Sequence, residues 1–292
     1  MPPRRLSLNR FALFSGIASL VGHCNAEPPN PLYQHHMNDA TAVYNMTLFI
    51  IPYPKADVEK LAGYPMLRPP FPFSEEAYPL VYQFGKLVDI RQSLAQIPEL
   101  MSASIIIPNV DRLKDGKTSF VRSKYTFTDQ AIPSIVSWAV EGYRNEVASF
   151  NPPHEAFGAS QQVYFSQLFP ARMILNNVHC PASSPVGGPG LSQPIADALF
   201  MKLHSSELPQ YPQSVYERLV NGPIFGDGLG CGTITTFFNY TFANPTFVLG
   251  NMTLYAGYLP ETRDFINVHG LSVTVTEIQG TFPPVDCKSL AA

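Results

Sequence analysis

One stretch of this 292-residue chain sets groups capable of proton transfer in a stiffened frame: Val147-Ala-Ser-Phe-Asn-Pro-Pro-His-Glu-Ala-Phe-Gly158. Pro152 and Pro153 pre-set the backbone, His154 and Glu155 are adjacent, and Phe150 and Phe157 frame them. An imidazole presented by a rigid turn beside aromatic rings can act as general acid or base near neutral pH, with the neighbouring carboxylate as its partner. On spacing alone, a loop histidine that hydrogen-bonds locally accounts for the same residues more simply.

Other constellations carry less chemistry. Gly222, Gly226, Gly228, Gly230 and Gly232 crowd one segment. A phosphate loop would need a following helix and a Gly-Lys-Ser/Thr, and neither is present, so a tight surface turn is expected. Asp111-Arg-Leu-Lys-Asp-Gly116 reads as a solvated hairpin with Asp115-Gly116 at the bend. His35-His36 lies in a stretch expected to be disordered. No Gly-x-Ser-x-Gly elbow occurs. His179 is adjacent to Cys180, and neighbouring side chains chelate one ion poorly, so neither metal nor cofactor is expected.

The elements that must position these groups are mostly strands. Period-two patterns cover 42–51, 79–85, 102–108, 119–127, 162–169, 233–242, 246–257 and 264–279. Helical spacing is seen in Lys55 to Ala62, in Ala131 to Val147 and in Pro194 to His204. Proline-rich connections separate them at Tyr64 to Pro79, Pro152–Pro153 and Pro181 to Pro194. The pattern predicts an α+β domain, mainly antiparallel β, with a curved or closed sheet and a few flanking helices.

The first 26 residues have the order of a secretory signal. Arg4, Arg5 and Arg10 precede an apolar run from Phe11 to Gly22, and Cys24-Asn25-Ala26 supplies small residues for cleavage. Residues 27–292 then form a single domain with 16 basic and 22 acidic residues. That acidic balance argues against nucleic acid or an anionic membrane as partner. No later apolar stretch reaches spanning length. Cys180, Cys231 and Cys287 remain, enough for one disulfide in any of three pairings. Three N-glycosylation sequons begin at Asn45, Asn239 and Asn251, each in an alternating segment that predicts an outward-facing acceptor. The expected location is outside the cell or in the secretory lumen of a eukaryote.

The order of segments resembles the acetoacetate decarboxylase superfamily. Met46-Thr-Leu-Phe-Ile-Ile with Asp57-Val-Glu-Lys-Leu is similar to its opening strand and short helix, and Pro79-Leu-Val-Tyr-Gln-Phe-Gly85 to its second strand. Ser102-Ala-Ser-Ile-Ile-Ile-Pro108, Asp115-Gly116 and Thr118-Ser-Phe120 resemble the paired strands and hairpin that follow. Pro152-Pro-His-Glu155 stands where members carry Phe-Pro-Lys-Lys, whose first lysine forms a Schiff base with a keto substrate. Here that place holds His154, which cannot form an imine. A family glutamate falls on Ser102, with Glu99 close by in sequence. The resemblance implies a cone-shaped barrel around an apolar pocket suited to small keto or enol compounds.

The reading that follows is a secreted enzyme of fungal secondary metabolism, lyase- or isomerase-like, acting on a keto, enol or quinol-like compound. His154 would move a proton and Glu155 orient it, while Ser102, Glu99, Arg91 and Arg122 are further candidates to bind an oxyanion or carboxylate. A catalytically silent small-molecule binder on the same fold, or a true decarboxylase using a different lysine, are the alternatives. A homo-oligomer is compatible with either, and a structural wall protein has less support because such chains are more repetitive.

Overall fold

Eleven strands dominate the computed structural model, which describes residues 29–70, 72–137, 145–153, 160–165, 194–228, 230–256 and 259–291. In chain order they are β1 (Ala40–Tyr53), β2 (Tyr78–Gln92), β3 (Ala95–Val110), β4 (Phe120–Thr128), β5 (Asn145–Asn151), β6 (Ser160–Phe165), β7 (Pro194–Lys202), β8 (Gly222–Phe225), β9 (Gly230–Phe237), β10 (Thr246–Leu254) and β11 (Arg263–Asp286). Among the described residues three short α-helices accompany them: α1 (Lys55–Ala62), α2 (Ala131–Val136) and α3 (Gln213–Val220). All pairings are antiparallel except β4 with β5 and β4 with β8.

The pairings close the sheet twice. One ring runs β1-β2-β3-β4-β5-β6-β7-β10-β11 and returns to β1. A smaller ring leaves β4 through β8 and β9 and rejoins β11. β11 makes this possible by its length. One edge pairs with β1 over 270–279, while the other pairs first with β10 and then with β9. The two rings share β11, β1, β2, β3 and β4 as a common wall.

A strand in a common wall has two interior faces, and β1 shows the result. Tyr44, Met46, Leu48 and Ile50 enter the core of the smaller ring, and Phe49, Ile51 and Tyr53 that of the larger one. Nearly the whole strand is buried as a consequence. Asn45 and Thr47 therefore do not face solvent, contrary to the outward reading of the first sequon. Both lie on the larger ring's side, and Asn45 is 8% exposed. Alternating apolar and polar residues mean one wet face only when a single side of the sheet is covered.

α3 seals the smaller ring. Val215, Tyr216, Leu219 and Val220 recur at helical spacing and are all buried against it. This helix was not expected, because two apolar pairs in eight residues give little periodic signal. α1 packs Val58, Leu61 and Ala62 beneath the larger ring and ends at Gly63, whose left-handed φ of 67° lets its N–H reach the Glu59 carbonyl.

Two expected helices are corrected. Pro194 to Lys202 is a strand, β7, held between β6 and β10. The helix from Ala131 is described only to Val136, and its predicted C-terminal end is already strand β5 from Asn145. The glycine-rich stretch is a turn flanked by β8 and β9 rather than a turn throughout. The Asp111–Gly116 bend forms as expected. Asp111 accepts from the Asp115 and Gly116 N–H groups, and Asp115 accepts from Lys117 and Thr118. His35 and His36 sit in hydrogen-bonded turns on Leu32, not in a disordered segment. A disulfide joins Cys231 to Cys287, with 5.0 Å between their Cα atoms, tying β9 to a final 3-10 helix (Cys287–Leu290). Cys180 and residues 1–26 lie outside the described residues.

Candidate functional site

Aromatic side chains fill the waist of the larger ring. Phe49, Phe84, Phe200 and Tyr82 touch one another, with ring centroids 5.5–6.2 Å apart. Gly250 and Gly270 make room for them: a Cβ at Gly270 would lie 2.7 Å from the Phe49 ring, and one at Gly250 2.8 Å from the Phe200 Cβ. Such a packed waist confines any ligand of this ring to the region above or below it. Tyr82 brings a hydroxyl into this layer that has no hydrogen-bond partner among the described residues, and burial pushes its pKa up. A buried donor of this kind calls for an explanation, and an incoming oxygen atom would supply one.

Next to the waist, on the same face of the wall, the lining becomes polar. Thr47 and Ser272 share a 2.7 Å hydrogen bond between hydroxyls, and the Thr274 hydroxyl donates to Asn45 Oδ1 at 2.9 Å. Strand register places Lys86 beside both Asn45 and Met101, on the face opposite Leu87, which packs into the smaller ring. Lys86 Nζ lies 3.9 Å from Glu99 Oε2, with the lysine side chain 13% exposed and the glutamate 42%. An ammonium group largely removed from water, beside a carboxylate that still reaches it, is placed to bind an anion.

A second polar group lies across the wall in the smaller ring. The Tyr44 hydroxyl donates to the Ser102 carbonyl at 3.4 Å and also meets the Gln83 side chain. Burial pushes the Tyr44 pKa up, and the charge of Glu277 adds to the rise. Glu277 itself is pushed up to about 7 by burial, against an opposing hydrogen bond to Thr236. Its carboxyl thus keeps its proton to higher pH than an ordinary glutamate, at the partly exposed edge of the smaller ring beside Thr236.

These positions separate the residues singled out from sequence. Glu99 stands at the polar end of the larger ring. Ser102 is on the opposite face of the same strand, with Tyr44, and so does not join Glu99 around one ligand. The Arg91 Nε donates to Asp89 Oδ1 at 2.6 Å, and the guanidinium lies 4.9 Å above the Tyr33 ring. Arg122 is buried at the other end of the wall. It donates to the Ala62 carbonyl at the end of α1, pairs with Asp227 at 2.5 Å, and stacks over Tyr64 and Phe225. The two arginines hold loops at opposite ends of the sheet and do not converge on a shared anion. His154 and Glu155 lie outside the described residues. In sequence they follow β5, whose Ala148 and Phe150 belong to the larger ring's core.

Lys86, Tyr44 and Glu277 were not anticipated. For Lys86 a signal existed, since alternation from Tyr82 through Phe84 sets a lysine on an apolar face. Nothing local marks Glu277. Of the sequon asparagines, Asn239 is exposed in the turn after β9 and Asn251 is exposed on β10, whereas Asn45 points inward. Among the described residues no three His, Cys, Asp or Glu side chains gather as metal ligands, and no helix is long and apolar enough to cross a membrane.

No protein-family model matches the sequence, and neither does any curated protein. Solved structures do. The chain is similar to the enduracididine biosynthesis enzyme MppR in complex with pyruvate, with 12% identity and a TM-score of 0.49, over 82% of this chain and 88% of that one. It is similar to the acetoacetate decarboxylase of Legionella pneumophila, with 13% identity and a TM-score of 0.48, over 88% and 96% of the two chains. An acetoacetate decarboxylase-like enzyme from Sphingomonas wittichii RW1 is similar at 8% identity and a TM-score of 0.47, over 84% and 91%.

Proposed function

We propose that this chain is a secreted, acetoacetate decarboxylase-like enzyme of fungal secondary metabolism that takes a small anionic keto or enol compound at the polar end of its larger ring. The observation that carries the reading is the Lys86–Glu99 pair, set on an interior face beside an aromatic waist. In this reading the Lys86 ammonium holds the carboxylate or enolate oxygen, Glu99 exchanges a proton with water, and the apolar waist excludes solvent from the rest of the ligand. His154 and Glu155 act as the acid/base pair supplied by the segment after β5. The exposed sequons at Asn239 and Asn251, the amino-terminal basic and apolar order and the Cys231–Cys287 disulfide support a secretory route.

Lys86 also favours a second reading, a decarboxylase that uses this lysine instead of the one missing at His154. There the neutral amine would add to the substrate ketone and water would leave. The resulting iminium would accept the electron pair freed as carbon dioxide departs, and protonation at carbon followed by hydrolysis would return ketone and amine.

Calorimetric binding of acetoacetate and pyruvate to wild type, Lys86→Ala and Glu99→Gln, followed by borohydride treatment, separates the two. Loss of a charge-assisted contact worth about 1.5–3 kcal/mol predicts binding weaker by roughly 10- to 100-fold in Lys86→Ala. In the first reading borohydride leaves the protein mass unchanged. A reduced adduct on the Lys86 peptide establishes the second, and binding untouched by Lys86→Ala removes both.

A further inference from the structure

The outer face of β7, β10 and β11 exposes large apolar side chains: Leu199 at 62%, Met201 at 72% and Ile266 at 71%. Leu199 and Ile266 line a groove of about 570 Å³ together with Asp197, Asn251, Thr253 and Asp264, and Met201 extends the apolar stripe beyond it. Isolated exposed leucines need no explanation, but an apolar stripe along a groove does. Asn251 sits at its centre. It pairs with Leu199 across the ladder, and a register shift in β11 sets Ile266 and Asn267 on its other side. The Asn267 N–H donates to Asn251 Oδ1 at 2.9 Å. That bond fixes which way the amide lies and leaves Nδ2, the atom that carries sugar, open to the groove. Thr253 completes the acceptor triplet Asn251-Met-Thr253.

We propose that Asn251 bears an N-linked glycan whose first sugars lie in this groove and cover the apolar stripe. A pyranose has a polar edge and an apolar C–H face, and the groove offers partners for both. Leu199 and Ile266 flank the attachment point, and the exposed carboxylate of Asp264 lies along the lining beside Thr253, whose hydroxyl donates to it at 2.6 Å. The size of the groove falls within the range of about 300–1,000 Å³ that small-molecule sites occupy. The three sequons differ accordingly. Asn45 is enclosed by the larger ring and stays unmodified, Asn239 carries a glycan on an open turn, and Asn251 carries one that acts as part of the surface. The inference rests on the secretory reading above.

The test is expression of the full chain in a eukaryotic secretory host, with site occupancy read from glycopeptide masses. Hydrophobic-dye fluorescence and light-scattering mass are then compared for wild type, Asn251→Gln, Asn239→Gln and enzymatically deglycosylated wild type. Occupancy at Asn239 and Asn251 but not Asn45 is expected, with dye fluorescence rising several-fold when the Asn251 glycan is lost and unchanged when the Asn239 glycan is lost. Enzymatic removal from the folded protein keeps the result independent of any folding defect in the variants. Occupancy at Asn239 alone overturns this inference and leaves secretion standing; no occupancy anywhere, with residues 1–26 retained, overturns both. Dye fluorescence indifferent to the Asn251 glycan, or a glycosylated protein that is already dimeric through this face, also overturns it.

Discussion

Replacing Glu277 by glutamine should remove a fall in stability of about 2 kcal/mol that this carboxyl contributes between pH 4.5 and 7. In the folded chain burial raises the carboxyl from its ordinary 4.5 to about 7. Below pH 4.5 both folded and unfolded chains hold the proton, and the stability tied to this group is fully present. As pH rises toward 7 the unfolded chain releases the proton while the folded one keeps it, so stability falls. Above about 7 both have lost it and the fall is complete. At about 1.4 kcal/mol per pH unit the full span amounts to about 3 kcal/mol. Glu277 keeps some contact with solvent at the ring's edge, which places the magnitude nearer 2 kcal/mol. Glutamine preserves the shape and can still bond Thr236 but cannot ionise. The assay is urea unfolding of both proteins from pH 4 to pH 8. The stability of Glu277→Gln relative to wild type should rise by about 2–3 kcal/mol across that range, with every other titrating group cancelling in the difference. A difference constant to within about 0.5 kcal/mol would refute the burial argument.

Other substitutions probe the frame. Gly85→Ala would drive a Cβ into the Asn45 carbonyl oxygen, and a cost of at least about 3 kcal/mol is expected from thermal unfolding. Phe49→Ala empties the centre of the waist and should cost about 3–5 kcal/mol by denaturant titration. Cys231→Ser opens a cross-link spanning 56 residues, for which chain entropy predicts about 4 kcal/mol, measurable as a lower Tm that reductant no longer shifts.

How far the sequence could be read depends on how many sides of each strand are covered. The alternation in 42–51 located β1 to within two residues at either end, because period two is a property of the backbone. It misplaced Asn45 and Thr47 because alternation does not report that both faces are enclosed. Pro194 to Lys202 is rich in Ala, Leu and Met, good helix formers, yet ladders on both edges hold it as a strand, so tertiary pairing overrides propensity. The candidate site was less legible than the fold. Glu99 was identified, but its partner Lys86 follows a glycine in a strand that has no motif, and only its place on the face of Tyr82 and Phe84 marks it. Glu277 owes its raised pKa to β1, β9 and β11 meeting around it, a long-range arrangement with no local trace.

The common wall also dictates an order of assembly. β1, β2, β3 and β4 are consecutive in the chain and pair in that order, whereas neither ring closes without β11, whose contacts with β1 join residues more than 220 positions apart. During synthesis the free edge of β1 therefore waits, long and apolar on one face and in part on the other, until the last strand emerges. A chain that stops short of Arg263 keeps that edge open permanently. Such a product also strips β9 and β10 of their β11 ladder while offering the open edge of β1 to aggregation, so loss of the closing strand is more damaging than loss of an equal length elsewhere.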